Sequence, residues 1–399
     1  MENNLYSLFT DNPSPPLILV DAHQDLAWNM LTFGRDYTRP AEETRRREAG
    51  TPVPDWNGDT LLGWPDYQKG RVAVIFSTLF AAPARRRLGD WDTQSYRDHM
   101  EASARYRAQI DAYYRLADEH ADQFRLVFTQ GDLQAVLSDW ELEDEIAQEG
   151  PEEPGNDLEE PGAKAGRGHP VGLVMLMEGA EGVREPAELE EWWGLGVRII
   201  GPAWAGTRFC GGTREPGPLT SEGHALLEAM AALGFTLDIS HMDERAALQA
   251  LDSYPGAVIA SHANVLALLK GLDTNRHLSD RVIRSLIERG GVIGVVPNNP
   301  FLQAGWKRGD RREEVSLDTM AAHIDYICQI AGDARHVGIG SDFDGGFGLQ
   351  SVPAEIDTIA DLQKLVPQLT RRGYNETEVA AILGENWLSL LRQTLPESA

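Results

Sequence analysis

The sequence predicts a (β/α)8 barrel of the α/β class, a TIM-like barrel with insertions, and three observations carry that prediction. Short β-branched, apolar runs alternate with amphipathic helical stretches along the chain. The runs are continuously apolar, as strands covered on both faces in a parallel sheet are. Eight of them fall within about 330 residues, the number a closed barrel needs; a doubly wound open sheet is the alternative. The eight candidate strands are residues 17–20, 72–80, 172–177, 197–200, 235–239, 257–260, 291–296 and 337–340. Two of the intervening helices have legible ends. One starts near Glu222, buries Leu226, Leu227, Met230 and Leu233, and stops at Gly234 directly before the run FTLDIS. The other is capped by Ser279, turns Val282, Ile283, Leu286 and Ile287 to one side, and ends before Gly290.

Two segments interrupt this rhythm within what reads as one barrel domain over residues 1–399. Residues 35–70 are polar and rich in Arg, Glu, Gly and Pro, a long insertion expected to cover the barrel mouth. Residues 139–169 hold eleven acidic residues against one Lys and one Arg, and predict a mobile, solvated surface loop. Their spacing matches no calcium-loop template.

Composition narrows the function. With 62 Asp and Glu against 36 Lys and Arg, the net charge of −26 repels phosphate backbones and anionic lipid, excluding nucleic acid and membrane as partners while favouring cations. The first twenty residues lack a basic n-region and place Pro inside their apolar run. No stretch approaches the roughly 18 consecutive apolar residues of a membrane span. The expectation is a cytoplasmic protein without a signal peptide. Cys210 and Cys328 cannot build a disulfide framework, and no C-x-x-C is present, so His and carboxylates must hold any metal.

In a parallel barrel the reactive groups gather at the carboxyl ends of the strands. The first strand ends LVDAHQD, with His23 and Asp25 at i and i+2, a spacing that turns both to one side in extended chain. The third ends with Glu178, the fifth with His241 in LDISH, the sixth with His262 in VIASH, and the eighth with Asp342 and then Asp344 in GSDFDGG. Each alone has a plain structural explanation, and Asp21 and Asp238 read as caps of neighbouring turns. Together the imidazoles and carboxylates suit zinc or a similar divalent ion.

These motifs resemble the membrane (renal) dipeptidase family, peptidase family M19 of the amidohydrolase superfamily. The resemblance runs from VDAHQDLAWN through LMEGAEG, GPLTSEG, LDISHMD, VIASHAN, RHLSD, GGVIGVV and HVGIGSDFDG to LGENWLSLL. It implies two zinc ions, or other divalent ions, the first held by His23, Asp25 and Glu178, the second by Glu178, His241 and His262. It further implies Asp342 as acid and base, with Asp344 supporting its loop. Arg276 in NRHLSD would clamp the substrate's C-terminal carboxylate; a surface ion pair is its structural alternative. Barrels of the family pair as homodimers, although a buried core explains the ten tryptophans as well as an interface does.

Two ions about 3.5–4 Å apart can share a water and bring its pKa from 15.7 towards about 7, so that a bridging hydroxide attacks the peptide carbonyl. The implied reaction is hydrolysis of L-Xaa-L/D-Xaa dipeptides, small peptide substrates. One departure stands out: where the family carries a substrate-binding His after the fourth strand, GPAWAGTR places Trp204. Indole cannot become cationic, so Arg208 is a candidate replacement. The alternatives are an amidohydrolase or lactonase acting on a non-peptide substrate, or a barrel with weakened turnover. A dinucleotide fold and a serine hydrolase are excluded, since neither G-x-G-x-x-G in its context nor G-x-S-x-G occurs.

Overall fold

The computed structural model describes residues 17–149 and 168–398, without the side chains of 142–149. Eight parallel strands form a nearly closed barrel: Leu19–Gln24, Val72–Phe80, Val171–Glu178, Val197–Gly201, Thr236–Asp238, Val258–Ile259, Ile293–Val295 and Val337–Ile339. Each pairs with its neighbour in chain order, and the eighth returns to the first through Asp21 and Ile339. The sixth and seventh meet in one parallel bridge, Ala260 to Ile293. All eight predicted strands are present, each within a few residues of its expected limits. In the barrel sheet one short strand was not foreseen: Phe124–Leu126 pairs beside the start of the third strand, whose later half pairs with the fourth; outside it, the short pairs Ala82–Pro83 with Ser95–Tyr96 and Cys210–Gly212 with Glu215–Leu219 were not foreseen either.

The helices end where their chemistry dictates. Thr220 accepts from Gly223 N–H at the start of Ser221–Leu233, and Gly234 closes that helix at φ +85°. Ser279 accepts from Val282 N–H and opens Asp280–Glu288. Residues 139–149, expected as loop, instead continue the helix Gln130–Glu149. The run WELEDEIAQE is made of strong helix formers, and the helix persists as far as the Gly150-Pro151 punctuation. The rest of the acidic segment, residues 150–167, lies outside the described residues.

Inside the barrel, Phe76 and Thr78 of the second strand share a face with Val174 and Leu176 of the third. Below them Trp387 of the last helix packs edge-on against Phe76, with centroids 5.4 Å apart, and donates its indole N–H to Ile339 O at 3.0 Å. Asn386 donates to Ala334 O and Val337 O. The motif LGENWLSLL therefore ties the chain's last helix to the eighth strand and plugs the barrel's far end.

Close approach at the upper end depends on two glycines. A Cβ on Gly294 or Gly340 would lie 1.9 or 1.8 Å from Ser261 O, so only glycine lets the seventh and eighth strands approach the sixth this closely. Gly340→Ala is expected to cost about 3 kcal/mol of unfolding free energy through overpacking, measured by denaturant melts against the native chain.

Candidate metal centre at the barrel mouth

The site begins where the strands end. His23 closes on the cluster from the first strand, whose pairing register shifts between Asp21 and Gln24. Such an irregularity re-aims side chains. Asp25 then leaves extended geometry, at φ −92°, ψ 49° before the helix Leu26–Phe33, so its approach to the cluster comes from a bend rather than from strand alternation. Glu178 is the last residue of the third strand, and Gly179 at φ +80° turns the chain away behind it. Tyr106 holds that turn, donating to Glu178 O and Gly179 O at 3.1 and 2.6 Å.

The predicted groups converge. Glu178 Oε1 lies 3.0 Å from His241 Nε2 and 3.4 Å from His262 Nε2, while its Oε2 lies 3.6 Å from His23 Nε2. His23, Asp25 and Asp342 form a second group of donors, with Asp342 Oδ1 4.0 Å from His23 Nε2. Gly345 makes room: a Cβ there would meet Asp342 Oδ1 at 2.1 Å and Asp25 Oδ2 at 2.8 Å.

A layer beneath fixes which nitrogens face inward. Asp238 accepts from Ser240 N–H, Ser261 N–H and both hydroxyls, so it bridges the fifth and sixth strands rather than capping a single turn. With its proton committed to Asp238, the Ser261 hydroxyl can only accept from His262 Nδ1 at 2.8 Å and His23 Nδ1 at 3.3 Å. Thr213 Oγ1 meets His241 Nδ1 at 2.9 Å. Each Nδ1 is thereby occupied and each Nε2 turned towards Glu178, to give its lone pair to a cation once any proton it carries has left, the arrangement metal-bound imidazoles share. Asp21 makes a parallel tie, accepting from Ser341 N–H at 2.6 Å.

Neither Ser261 nor Thr213 was anticipated. The repeated Ser-His pair in LDISH and VIASH was the available signal for Ser261; Thr213 lies on a separate hairpin and left none.

The donor set fits a cation by its electrostatics. His241 Nε2 and His262 Nε2 face each other at 2.8 Å, and His23 Nε2 is buried without a hydrogen-bond partner. Burial, and then the Arg276 charge, lowers His241 to a pKa of about 4. Burial, and then the His23 charge, holds His262 well below the usual range. Burial alone would lower His23 too, but the Glu178 carboxylate raises it to about 9. Burial alone would raise Glu178, yet the His23 charge beside it and the close approach of His241 and His262 hold it well below the ordinary range. Asp342 goes the other way: burial, reinforced by the nearby Asp25 and Glu178 charges, raises it well above the usual range against the pull of His23. Two facing lone pairs and crowded carboxylates repel unless a proton or a cation lies among them.

Asp344 has other employment. Its carboxylate accepts from Arg35, Tyr37, Thr60 and Leu61 N–H, and its carbonyl from Asn29 and Asn57. The 35–70 segment, which carries the helices Ala41–Glu48, Val53–Trp56 and Trp64–Gly70, thus braces the loop after the eighth strand. None of its side chains lies in the wall of the mouth cavity.

That cavity, about 430 Å3, has Asp25, Glu178, His241 and Asp342 in its wall, together with Arg276 and Trp204. Arg276 is not a surface ion pair: it is buried and donates to Ser240 O and His262 O at 3.0 and 2.9 Å. Trp204 stands 5.1 Å from the Phe80 ring and 6.2 Å from that of His241. Arg208 does not replace the missing imidazole. It is held by Glu181, Glu222 and the Val183 and Arg184 carbonyls, and takes no part in the cavity wall.

A carboxylate set among imidazoles at the carboxyl-end mouth of a parallel barrel marks an α/β barrel with a candidate metal centre where such barrels carry their reactive groups. More closely, the chain belongs to the membrane dipeptidase family, Peptidase family M19, whose profile matches residues 156–398. The match contains Glu178, His241, His262, Arg276 and Asp342; His23 and Asp25 precede it. An uncharacterised Klebsiella pneumoniae protein of the pqqA 5′ region is 34% identical over 56% of this chain and 82% of its own. An uncharacterised dipeptidase of Schizosaccharomyces pombe is 30% identical over 55% of this chain, which spans about half (53%) of that relative. Among solved structures, a Rhodobacter sphaeroides metallopeptidase liganded with a phosphinate mimic of L-Ala-D-Ala is 22% identical. Its TM-score is 0.70, with 95% of this chain and 99% of that one covered. The probable dipeptidase PvdM of Pseudomonas aeruginosa is 18% identical, with a TM-score of 0.70 and 96% of each chain covered. These two likenesses carry the fold. Among the described residues, no helix is long and apolar enough to cross a membrane.

Zn2+ added to metal-free protein near pH 7 is expected to bind with release of protons, because His23 must lose its own to ligate. Calorimetry in two buffers of different ionisation enthalpy reads that release. Glu178→Gln should abolish tight uptake and any rise in Tm on loading.

Proposed function

We propose that this chain is a metallo-dipeptidase that hydrolyses the amide bond of short L-Xaa-L/D-Xaa peptides at a site for two divalent cations, zinc best suiting its donors. The observation that carries this reading is the division of Glu178: one oxygen faces His241 and His262, the other His23. A carboxylate aimed in two directions is what a bridging ligand requires. His23, Asp25 and Glu178 would hold one ion; Glu178, His241 and His262 would hold the other. Bound there, the pair would supply Lewis-acid polarisation of a carbonyl and a water acidic enough to attack it at neutral pH.

The chain's own groups divide the remaining work. Asp342 lies beside His23 with a raised pKa, suiting it to take a proton at its carboxylate and pass it to the leaving amine. Arg276 spends two of its N–H groups on the carbonyls of Ser240 and His262, pinning both strand ends. A guanidinium has five, which leaves three for a C-terminal carboxylate. The cavity volume suits a dipeptide rather than a folded chain.

A second reading has its own observation. Trp204 occupies the wall beside His241 where a cationic hydrogen-bond donor would help polarise a carbonyl, and Arg208 is tied elsewhere. A non-peptide amide or lactone as substrate, or slowed dipeptide turnover, would follow from that.

Metal analysis of purified protein with a scan of L-L and L-D dipeptides tests the first reading. At least one equivalent of bound divalent metal and release of free amino acids are expected; neither appearing overturns it. Asp342→Asn should lower kcat by at least a hundredfold with metal content unchanged. Trp204→His should raise dipeptide kcat about tenfold or more at constant metal content. Lactones or N-acyl amino acids outpacing every dipeptide would select the second reading.

A further inference from the structure

The mouth cavity contains a charged group that the foregoing chemistry leaves unused. Asp92 lies in its wall, on the segment that follows the second strand, and is only 4% exposed. Pairing of Ala82–Pro83 with Ser95–Tyr96 fixes this segment, as does the Gln109 side chain, whose carbonyl accepts from Phe80 N–H at 2.8 Å. The Asp92 carboxylate accepts from the Leu88 and Gln94 N–H groups of its own loop, while its Oδ1 is buried without a hydrogen-bond partner. A buried carboxylate oxygen left in that condition is costly, and such atoms mark places where something else is meant to bind.

The barrel's topology says what that something is. Asp92 follows the second strand and Arg276 follows the sixth. In a ring of eight these positions are four apart in either direction, so the two groups rise from opposite sides of the mouth. Between them the same cavity is walled by Asp25, Glu178, His241 and Asp342. A ligand spanning this arrangement carries a cation at one end, an anion at the other, and its reacting bond midway. A free dipeptide has that pattern over about 7 Å of extended chain.

We infer that Asp92 anchors the α-ammonium group of the substrate, opposite Arg276, so that the cavity reads both ends of a zwitterionic dipeptide. This rests on the dipeptidase reading and sharpens it. It makes the enzyme selective for an unblocked N-terminus, and Asp92 a binding residue that takes no part in bond breaking.

The test compares L-Leu-D-Ala and L-Leu-L-Ala with their des-amino analogues, 4-methylpentanoyl-D-Ala and 4-methylpentanoyl-L-Ala, which keep the amide bond and lack only the ammonium. With metal-loaded native protein, kcat/KM for a dipeptide should exceed that of its analogue at least tenfold. In Asp92→Asn that preference should fall to within about threefold, through KM on the dipeptide, with the analogue's rate unchanged. Equal rates on dipeptide and analogue in the native protein overturn the inference while leaving the hydrolase reading intact, and this arm needs no variant to fold. Equal losses on both substrates in Asp92→Asn, the mark of a merely structural role, also overturn it. A native protein that cleaves neither member of either pair overturns the dipeptidase reading and this inference with it.

Discussion

The organisation of the barrel mouth depends on burying one carboxylate among three imidazoles. Glu178 is buried at the foot of the mouth cavity, and burial alone would favour its protonated form; the charge of His23 beside it holds it ionised. That balance requires each imidazole to present Nε2 to the centre, which in turn requires a hydroxyl on each Nδ1. Ser261 serves two of them and Thr213 the third. Ser261 can serve two only because Asp238 takes its proton. A chain of commitments thus leads from an aspartate at the end of the fifth strand to the lone pairs that face the cavity.

The backbone is built around the same requirement. Gly294 and Gly340 admit the Ser261 carbonyl, and Gly345 leaves space beside the carboxylates of Asp25 and Asp342. Asp342 and Asp344 both adopt left-handed backbone, at φ +57° and +65°. Such geometry is uncommon outside glycine, and it persists here because Asp344 is held by six hydrogen bonds from the 29–61 region. Asp342 is thereby turned inward by contacts its neighbour makes.

Much of this was legible in the sequence, for a physical reason. Strand ends in a parallel barrel point at one another, so reading the last residue of each apolar run located His23, Glu178, His241, His262 and Asp342, and the structure brings them together. Less could be read where position depends on partners distant in sequence. Ser261 and Thr213 act through hydroxyls that carry no distinctive pattern, and the brace formed by residues 35–70 on Asp344 involves contacts about 300 positions apart that composition cannot reveal. Arg276 was legible as a residue but not as a buried strut, because burial of a guanidinium depends on which carbonyls happen to face it. The acidic run was misjudged over residues 139–149 because charge was weighed above the helix-forming character of the same residues.

The union of the two ends of the barrel has an implication for biosynthesis. Asp21 pairs with Ile339 and accepts from Ser341, and Arg35 reaches Asp344. A nascent chain that has emerged as far as His262 already carries the three histidines and Glu178, yet it lacks the eighth strand that pairs with the first. The complete mouth, with Asp342 in its wall, therefore requires a chain that extends past residue 344.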